Sequence, residues 1–405
     1  MKNNAFFFLF IATVFFFLAC EGTKKQTGNA ALYGQLQNSG GDTLFLYDIS
    51  LSEFKLIDST ITNSDGTFEF DPLLAYKGFY NVSVGKSGQQ FATVVLGVGD
   101  SVQLTGDAKN LGYTWKTSGS KDAERFNEFN NYITLHQKKR APYVERLDSA
   151  LEVFQTMISM LHANDSVKRD SLDKVYGDYY TYHNNVILGI DSQAVKFVQA
   201  FIDRDPGSFA NIPALRLLSP FDYFPWYERT ALALEARYKS APQVKLLREM
   251  IERYRPFAKG QVPPDIALTD PNGEVRKLSS LKGKIVLLDF WASWCKPCIV
   301  ELPGVVSNYN KYQAKGFDVF SVSLDQSKQD WIAAIKKNKL RWSNHVIDLQ
   351  GPNSVAALYG VKTIPKTFLI GRDGRILERE IYGEDLTHKL DQLFLNQLPQ
   401  NTDKL

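Results

Sequence analysis

Residues Ile285–Pro303 read IVLLDFWASWCKPCIVELP, and this stretch decides the fold. Ile285-Val286-Leu287-Leu288 is an unbroken apolar run, the pattern of a strand buried on both faces in the middle of a sheet. It ends at Asp289-Phe290-Trp291, and a short turn leads into Trp294-Cys295-Lys296-Pro297-Cys298. Proline has no N–H to give and suits a first helical turn, so Pro297 predicts a helix opening here. Cys295 then stands at a helix N-terminus, where unpaired N–H groups and the helix dipole favour a thiolate. Lys296 adds positive charge that acts in the same direction.

Two residues between the cysteines let both sulfurs meet across one turn and close a small disulfide ring. Cys295 comes first and is expected to be the exposed nucleophile. Cys298, one turn further in, is placed to attack a mixed disulfide from behind. A CxxC that follows a strand and opens a helix is a redox signature. The alternatives are a structural disulfide or half of a zinc site. The chain has 3 cysteines, so a four-thiolate site lacks its second pair. His136, His162, His183, His345 and His388 are scattered without finger-like spacing, so no metal site is expected. No P-loop, dinucleotide fingerprint or hydrolase elbow appears, and no cofactor is expected.

FWASWCKPC, with Asp289 ahead of it and Ile364-Pro365 downstream, resembles the thioredoxin superfamily. The set Cys-x-x-Cys-x-x-Glu-x-Pro, here Cys295, Cys298, Glu301 and Pro303, is similar to its membrane-tethered TlpA/ResA-like branch of thiol-disulfide oxidoreductases. The resemblance covers the last part of the chain, about a third. It implies a thioredoxin-like α/β fold, with Cys295 and Cys298 as the redox disulfide. It also implies a cis Pro365 beside Cys295, leaving the Ile364 backbone free to pair with a client strand. Trp294, Ile364 and Pro365 are thus the candidate client-contacting residues. Asp289 ends the buried strand, where desolvation raises a carboxyl pKa, so it is a candidate acceptor for the Cys298 proton. Glu301 falls one turn after Cys298 on the same helix face, where related enzymes carry an acid that influences the cysteines. Pro303 is expected to kink that helix. The implied partners are client proteins with disulfides and a membrane electron donor.

The rest of the chain has room for two more domains: it has 405 residues, 44% hydrophobic and 13% aromatic. A net charge of only +3 with no basic tract argues against a nucleic-acid partner. Residues 1–19 carry Lys2 and then a phenylalanine-rich apolar run, and read as a secretory leader. Phe17-Leu18-Ala19-Cys20 resembles a lipobox, which implies lipidation at Cys20 and a lipid-anchored, periplasm-facing protein of the cell envelope. The alternative is an uncleaved anchor, though the run is short against the ~20 residues of a spanning helix. Residues 20–29 read as a tether. Residues 30–118 carry short strand runs and turns, and predict an all-β, antiparallel sandwich-like domain.

Residues 119–258 are helical. Val144, Leu147, Leu151, Phe154 and Ile158, then Leu172, Val175, Tyr179, Tyr182 and Val186, repeat at spacings of three and four. That pattern predicts an αα-hairpin packed along one seam. The aromatic run Phe221–Tyr227 reads as an inter-helix or interdomain contact. Lys259–Asp265, with Gly260, Pro263 and Pro264, is the linker into a thioredoxin-like domain at 259–405. The chain is therefore read as a multidomain thiol-disulfide oxidoreductase. Lys296-Pro297 lacks the histidine of strongly oxidising relatives, which favours a reductase. The alternatives are an oxidase or isomerase, a thiol peroxidase lacking the usual Thr/Ser-x-x-Cys context, and a binding or scaffold lipoprotein.

Overall fold

The computed structural model describes residues 28–395, apart from 51–53, 87, 162–164, 350 and 352–353. The leader, Cys20 and most of the tether lie outside the described residues. Among those described, no helix is long and apolar enough to cross a membrane.

Eight strands come first: β1 (Ala31–Gln37), β2 (Thr43–Asp48), β3 (Lys55–Ile61), β4 (Thr67–Phe70), β5 (Gly78–Val84), β6 (Phe91–Leu96), β7 (Ser101–Asp107) and β8 (Lys116–Ser118). They form two four-stranded sheets, ordered β4-β1-β7-β8 and β3-β2-β5-β6. The antiparallel expectation needs one correction. β1 runs parallel to β7, with Leu32 opposite Val102. The chain leaves the first sheet for the second between these strands, so no hairpin dictates the direction of its return. Alternation sends Leu32, Phe70 and Leu104 from one sheet, and Leu46, Val82 and Val94 from the other, into a shared core. Gly66 closes the Asn63–Gly66 turn at φ +81°, where a Cβ would come within 2.1 Å of the Leu36 carbonyl oxygen.

Helices α1 (Leu111–Thr114), α2 (Lys121–Met160), α3 (Ser166–Arg204), α4 (Asn211–Leu215), α5 (Phe224–Tyr238) and α6 (Pro242–Tyr254) belong to this part of the chain; α1 precedes β8. The sandwich core continues without a break into Phe126, Phe201, Tyr227 and Leu247 of the helices. Asp122 pins the join. It accepts hydrogen bonds from Lys77 Nζ (2.9 Å), Ser208 Oγ (2.8 Å), the Phe209 N–H (2.8 Å) and the Tyr238 hydroxyl (2.8 Å). Burial pushes this carboxyl up, but the Lys77 ammonium and the hydroxyl donors outweigh it and leave it below the ordinary range.

α2 and α3 make the expected hairpin, but its seam is not a core throughout. The buried residues of α2 stop at His136, and those of α3 begin at His183. Val175, Tyr179 and Tyr182 remain exposed. The aromatic run splits: Phe224 and Tyr227 are buried in the helical core, whereas the Phe221 ring lies 3.3 Å from the Arg379 guanidinium of the C-terminal region.

That region contains β9 (Ala267–Thr269), β10 (Val275–Lys277), β11 (Ile285–Trp291), α7 (Lys296–Tyr312), β12 (Phe317–Ser323), α8 (Lys328–Lys337), β13 (Asn344–Ile347), α9 (Val355–Leu358), β14 (Lys366–Ile370), β15 (Ile376–Arg379) and α10 (Gly383–Leu395). The sheet order is β10-β9-β13-β12-β11-β14-β15, with β11 parallel to β12 and antiparallel to β14. Every residue of β11 is buried. Its side chains alternate between two cores. Ile285, Leu287 and Trp291 meet Leu302 and Val305 of α7 and Leu390 of α10, whereas Val286, Leu288 and Phe290 meet Phe257, Leu281 and Tyr359. The linker joins the sheet edge: the Gly260 N–H donates to the Ile376 carbonyl (2.8 Å), and the Ile376 N–H to that of Gln261 (2.9 Å). α7 continues past Pro303 without interruption.

Candidate functional site

The site forms where β11 ends and α7 begins. Cys295 caps α7 in an extended conformation, and Pro297 occupies the first turn. Cys295 and Cys298 are joined as a disulfide, with their Cα atoms 5.3 Å apart. The Cys298 N–H points at Cys295 Sγ across 3.2 Å. After reduction, this N–H and the helix dipole favour negative charge on that sulfur. The expectation of an exposed nucleophile needs correcting: in this oxidised form Cys295 is only 4% exposed. It packs in the same core as Trp291, Ala292 and the half-buried Ile364.

The Ile364–Pro365 bond is cis, and the Ile364 carbonyl oxygen lies 3.7 Å from Cys295 Sγ. Trp294 is 62% exposed beside the sulfur. With Ala356, Val361, Lys362 and Ile364 it lines an open groove of about 510 Å³. The turn carrying Trp294 is pinned from below. Asp325 accepts bonds from the Ser293 N–H (3.0 Å), Ser293 Oγ (2.6 Å) and Ser323 Oγ (2.7 Å). Nothing in the sequence pointed to Asp325. It reaches the site because β12 lies parallel to β11, with Ser323 opposite Trp291.

Asp289 shares the alternation of Ile285, Leu287 and Trp291, so it faces α7 rather than the opposite core. It is buried, and burial first, then the charge of Glu301, pushes its pKa up to about 7. Asp289, Cys298, Glu301, Pro365, Thr367 and Tyr382 line a space of about 10 Å³, near the size at which one water fits. A carboxyl that titrates near neutrality beside the inner cysteine is suited to proton exchange. Glu301 accepts a hydrogen bond from the Gly383 N–H (3.0 Å) and so also caps α10.

Tyr382 was not foreseen. Its hydroxyl donates to the Pro365 carbonyl (3.0 Å), fixing the cis-proline loop from behind. Burial raises its own pKa above the ordinary value. The sequence signal was slight: a tyrosine just before the glycine that opens the closing helix. The structure thus gathers Asp289, Trp294, Cys295, Cys298, Glu301, Ile364 and Pro365 at one end of β11. Cys20 lies outside the described residues.

Residues 260–379 match the AhpC/TSA family. The thiol-disulfide oxidoreductase ResA of Bacillus cereus is 32% identical over 132 residues, which are 33% of this chain and 74% of that protein. ResA of Geobacillus thermodenitrificans is 33% identical over 139 residues, 34% of this chain and 78% of that protein. A thiol-disulfide oxidoreductase structure from Bacteroides fragilis aligns at 35% identity over 33% of this chain and 99% of its own, with a TM-score of 0.31 over the unequal lengths. The chain belongs to the ResA/TlpA-like thiol-disulfide oxidoreductases, enzymes of the thioredoxin fold.

Proposed function

We propose that this oxidoreductase works as a reductase of disulfides in exported client proteins, held in the cell envelope by a lipid on Cys20. The observation that carries the redox step is the Cys295–Cys298 disulfide at the α7 N-terminus, facing the Ile364 carbonyl of the cis-proline loop. In the reduced enzyme the Cys295 thiolate attacks a client disulfide. A mixed disulfide forms, and the first client sulfur leaves as a thiolate that takes a proton from water. Asp289 then takes the Cys298 proton, and the Cys298 thiolate attacks Cys295 Sγ. The second client thiolate departs, and the enzyme is left oxidised. Two electrons have passed to the client, and a membrane dithiol donor restores them.

Trp294 and Ile364 supply the client contacts in this reading, and Glu301 tunes the charge around Asp289. Residues 30–118 and 119–258 form the base on which the redox domain at 259–405 is carried. The lipobox-like segment before Cys20 supports the anchor. The direction of electron flow is supported by the Lys296-Pro297 dipeptide alone.

Two measurements test this. Cys298→Ala should hold clients as mixed disulfides on Cys295, while Cys295→Ala should hold none. The dithiol potential should lie near that of thioredoxin, about −270 mV; a value near −120 mV, as for strong oxidants, makes the enzyme an oxidase instead.

A further inference from the structure

The outer halves of α2 and α3 carry an apolar stripe that the other described residues do not cover. Residues 137–160 and 166–182 contain no buried side chain. Yet Val153 (56% exposed) and Met157 (48%) on α2, with Val175 (65%) and Tyr179 on α3, line one groove of about 700 Å³ along the hairpin. Phe154 and Tyr176 stack at 4.5 Å between the helices, so the pair is held together while its outer face stays open. A helix stripe needs a second layer to leave water, and two helices alone supply half of a bundle.

We propose that the groove is filled by the same groove of a second copy of this chain, giving a homodimer through a four-helix bundle. The area fits. The α2 part rises roughly 36 Å and the α3 part roughly 25 Å at 1.5 Å per residue. With two helices about 10 Å apart, the face offers roughly 600 Å² per copy. Two copies bury roughly 1,200 Å², the lower edge of specific interfaces, which calls for a reversible dimer rather than an obligate one. The groove is also self-complementary in charge. Glu145 and Arg146 line it side by side. A two-fold axis passing near them pairs Glu145 of each copy with Arg146 of the other, as an isologous contact requires.

The experiment is sedimentation of the full-length chain in detergent at rising concentration, with far-ultraviolet dichroism to confirm the helices. The wild type should dimerise with Kd of about 1–10 µM. Val175→Asp and Met157→Asp should each raise Kd at least about tenfold, with helicity and insulin reduction per CxxC unchanged. Glu145→Arg should weaken the dimer, and adding Arg146→Glu should restore it, because the reciprocal pairs are then rebuilt in reverse. A wild type monomeric at about 100 µM overturns the proposal. So does a dimer indifferent to all four substitutions. Loss of client reduction in a Val175→Asp protein that was monomeric before the change assigns the groove to clients instead.

Discussion

β11 and the outer halves of α2 and α3 are both rich in apolar residues at regular spacing, and they end in opposite environments. β11 has helices on one face and a second apolar cluster on the other, so all seven of its residues are buried. The outer hairpin has the right period for a buried seam and, among the described residues, nothing to bury it against. Periodicity tells which side of an element is apolar. Whether that side becomes core depends on a second layer. The Cys295–Cys298 disulfide sits at the end of the fully sandwiched element, where two sulfurs can be held in fixed geometry.

The first way to break this comparison is to cut equal kinds of side chain from the two regions. Leu288→Ala should destabilise the protein by about 2–5 kcal/mol, as for other buried leucines. Val175→Ala, measured by urea unfolding of the monomer, should stay within about 0.5 kcal/mol. Comparable losses at both sites would show that the hairpin stripe is covered even in a single copy.

The buried strand also carries a group whose charge the fold resists. The Asp289 pKa rises from 3.8 to about 7, so the native state holds the proton that the unfolded state gives up between these values. Its stabilising contribution is therefore full below pH 4 and is lost as pH rises towards 7, on the order of 4 kcal/mol in all. Asp289→Asn should gain on the wild type through that window and hold a constant difference from it above pH 7. The same variant should slow resolution of the mixed disulfide about a hundredfold at pH 7. A stability gap that does not change with pH would mean the carboxyl is ionised at no penalty.

His345, two strands away in β13, is the opposite case. Burial pushes its pKa from 6.5 down to about 4, only partly offset by the Leu340 and Trp342 backbone. The unfolded chain binds this proton first, so stability is lost as pH falls from 6.5 to 4, on the order of 3 kcal/mol. His345→Leu should flatten that acid limb, and an unchanged limb would point to other groups. Smallest is Tyr382→Phe. Loss of one hydrogen bond to the Pro365 carbonyl should cost about 1 kcal/mol, seen as a several-fold rise in KM for peptide disulfides with kcat little altered. Equal changes in both constants would place Tyr382 in the chemical step rather than in holding the loop.

Much of the redox site was legible in the chain because its pieces are local. Strand, turn, cysteines and first-turn proline follow one another between Ile285 and Cys298, and backbone preferences alone place them. The cis-proline loop and Asp289 came from motif resemblance, and β11 pairs with β12 and β14 to bring them together. Asp325 and Tyr382 were not legible. Each acts through a partner 32 or 17 residues away, Ser293 and Pro365, that no local pattern names. The parallel β1–β7 pair was missed for a related reason: alternation shows which face of a strand is apolar but not which way its neighbour runs.

By itself, then, the sequence determined the CxxC helix, the buried strand that feeds it and the two long helices, because propensity and periodicity act over a few residues. Only the tertiary structure decided that Cys295 is covered when oxidised, that Asp289 faces α7, that the upstream strands and helices share one core, and that the other described residues leave the outer hairpin uncovered. These depend on which surfaces meet, and burial, desolvation and cross-strand hydrogen bonds exist only once they have met.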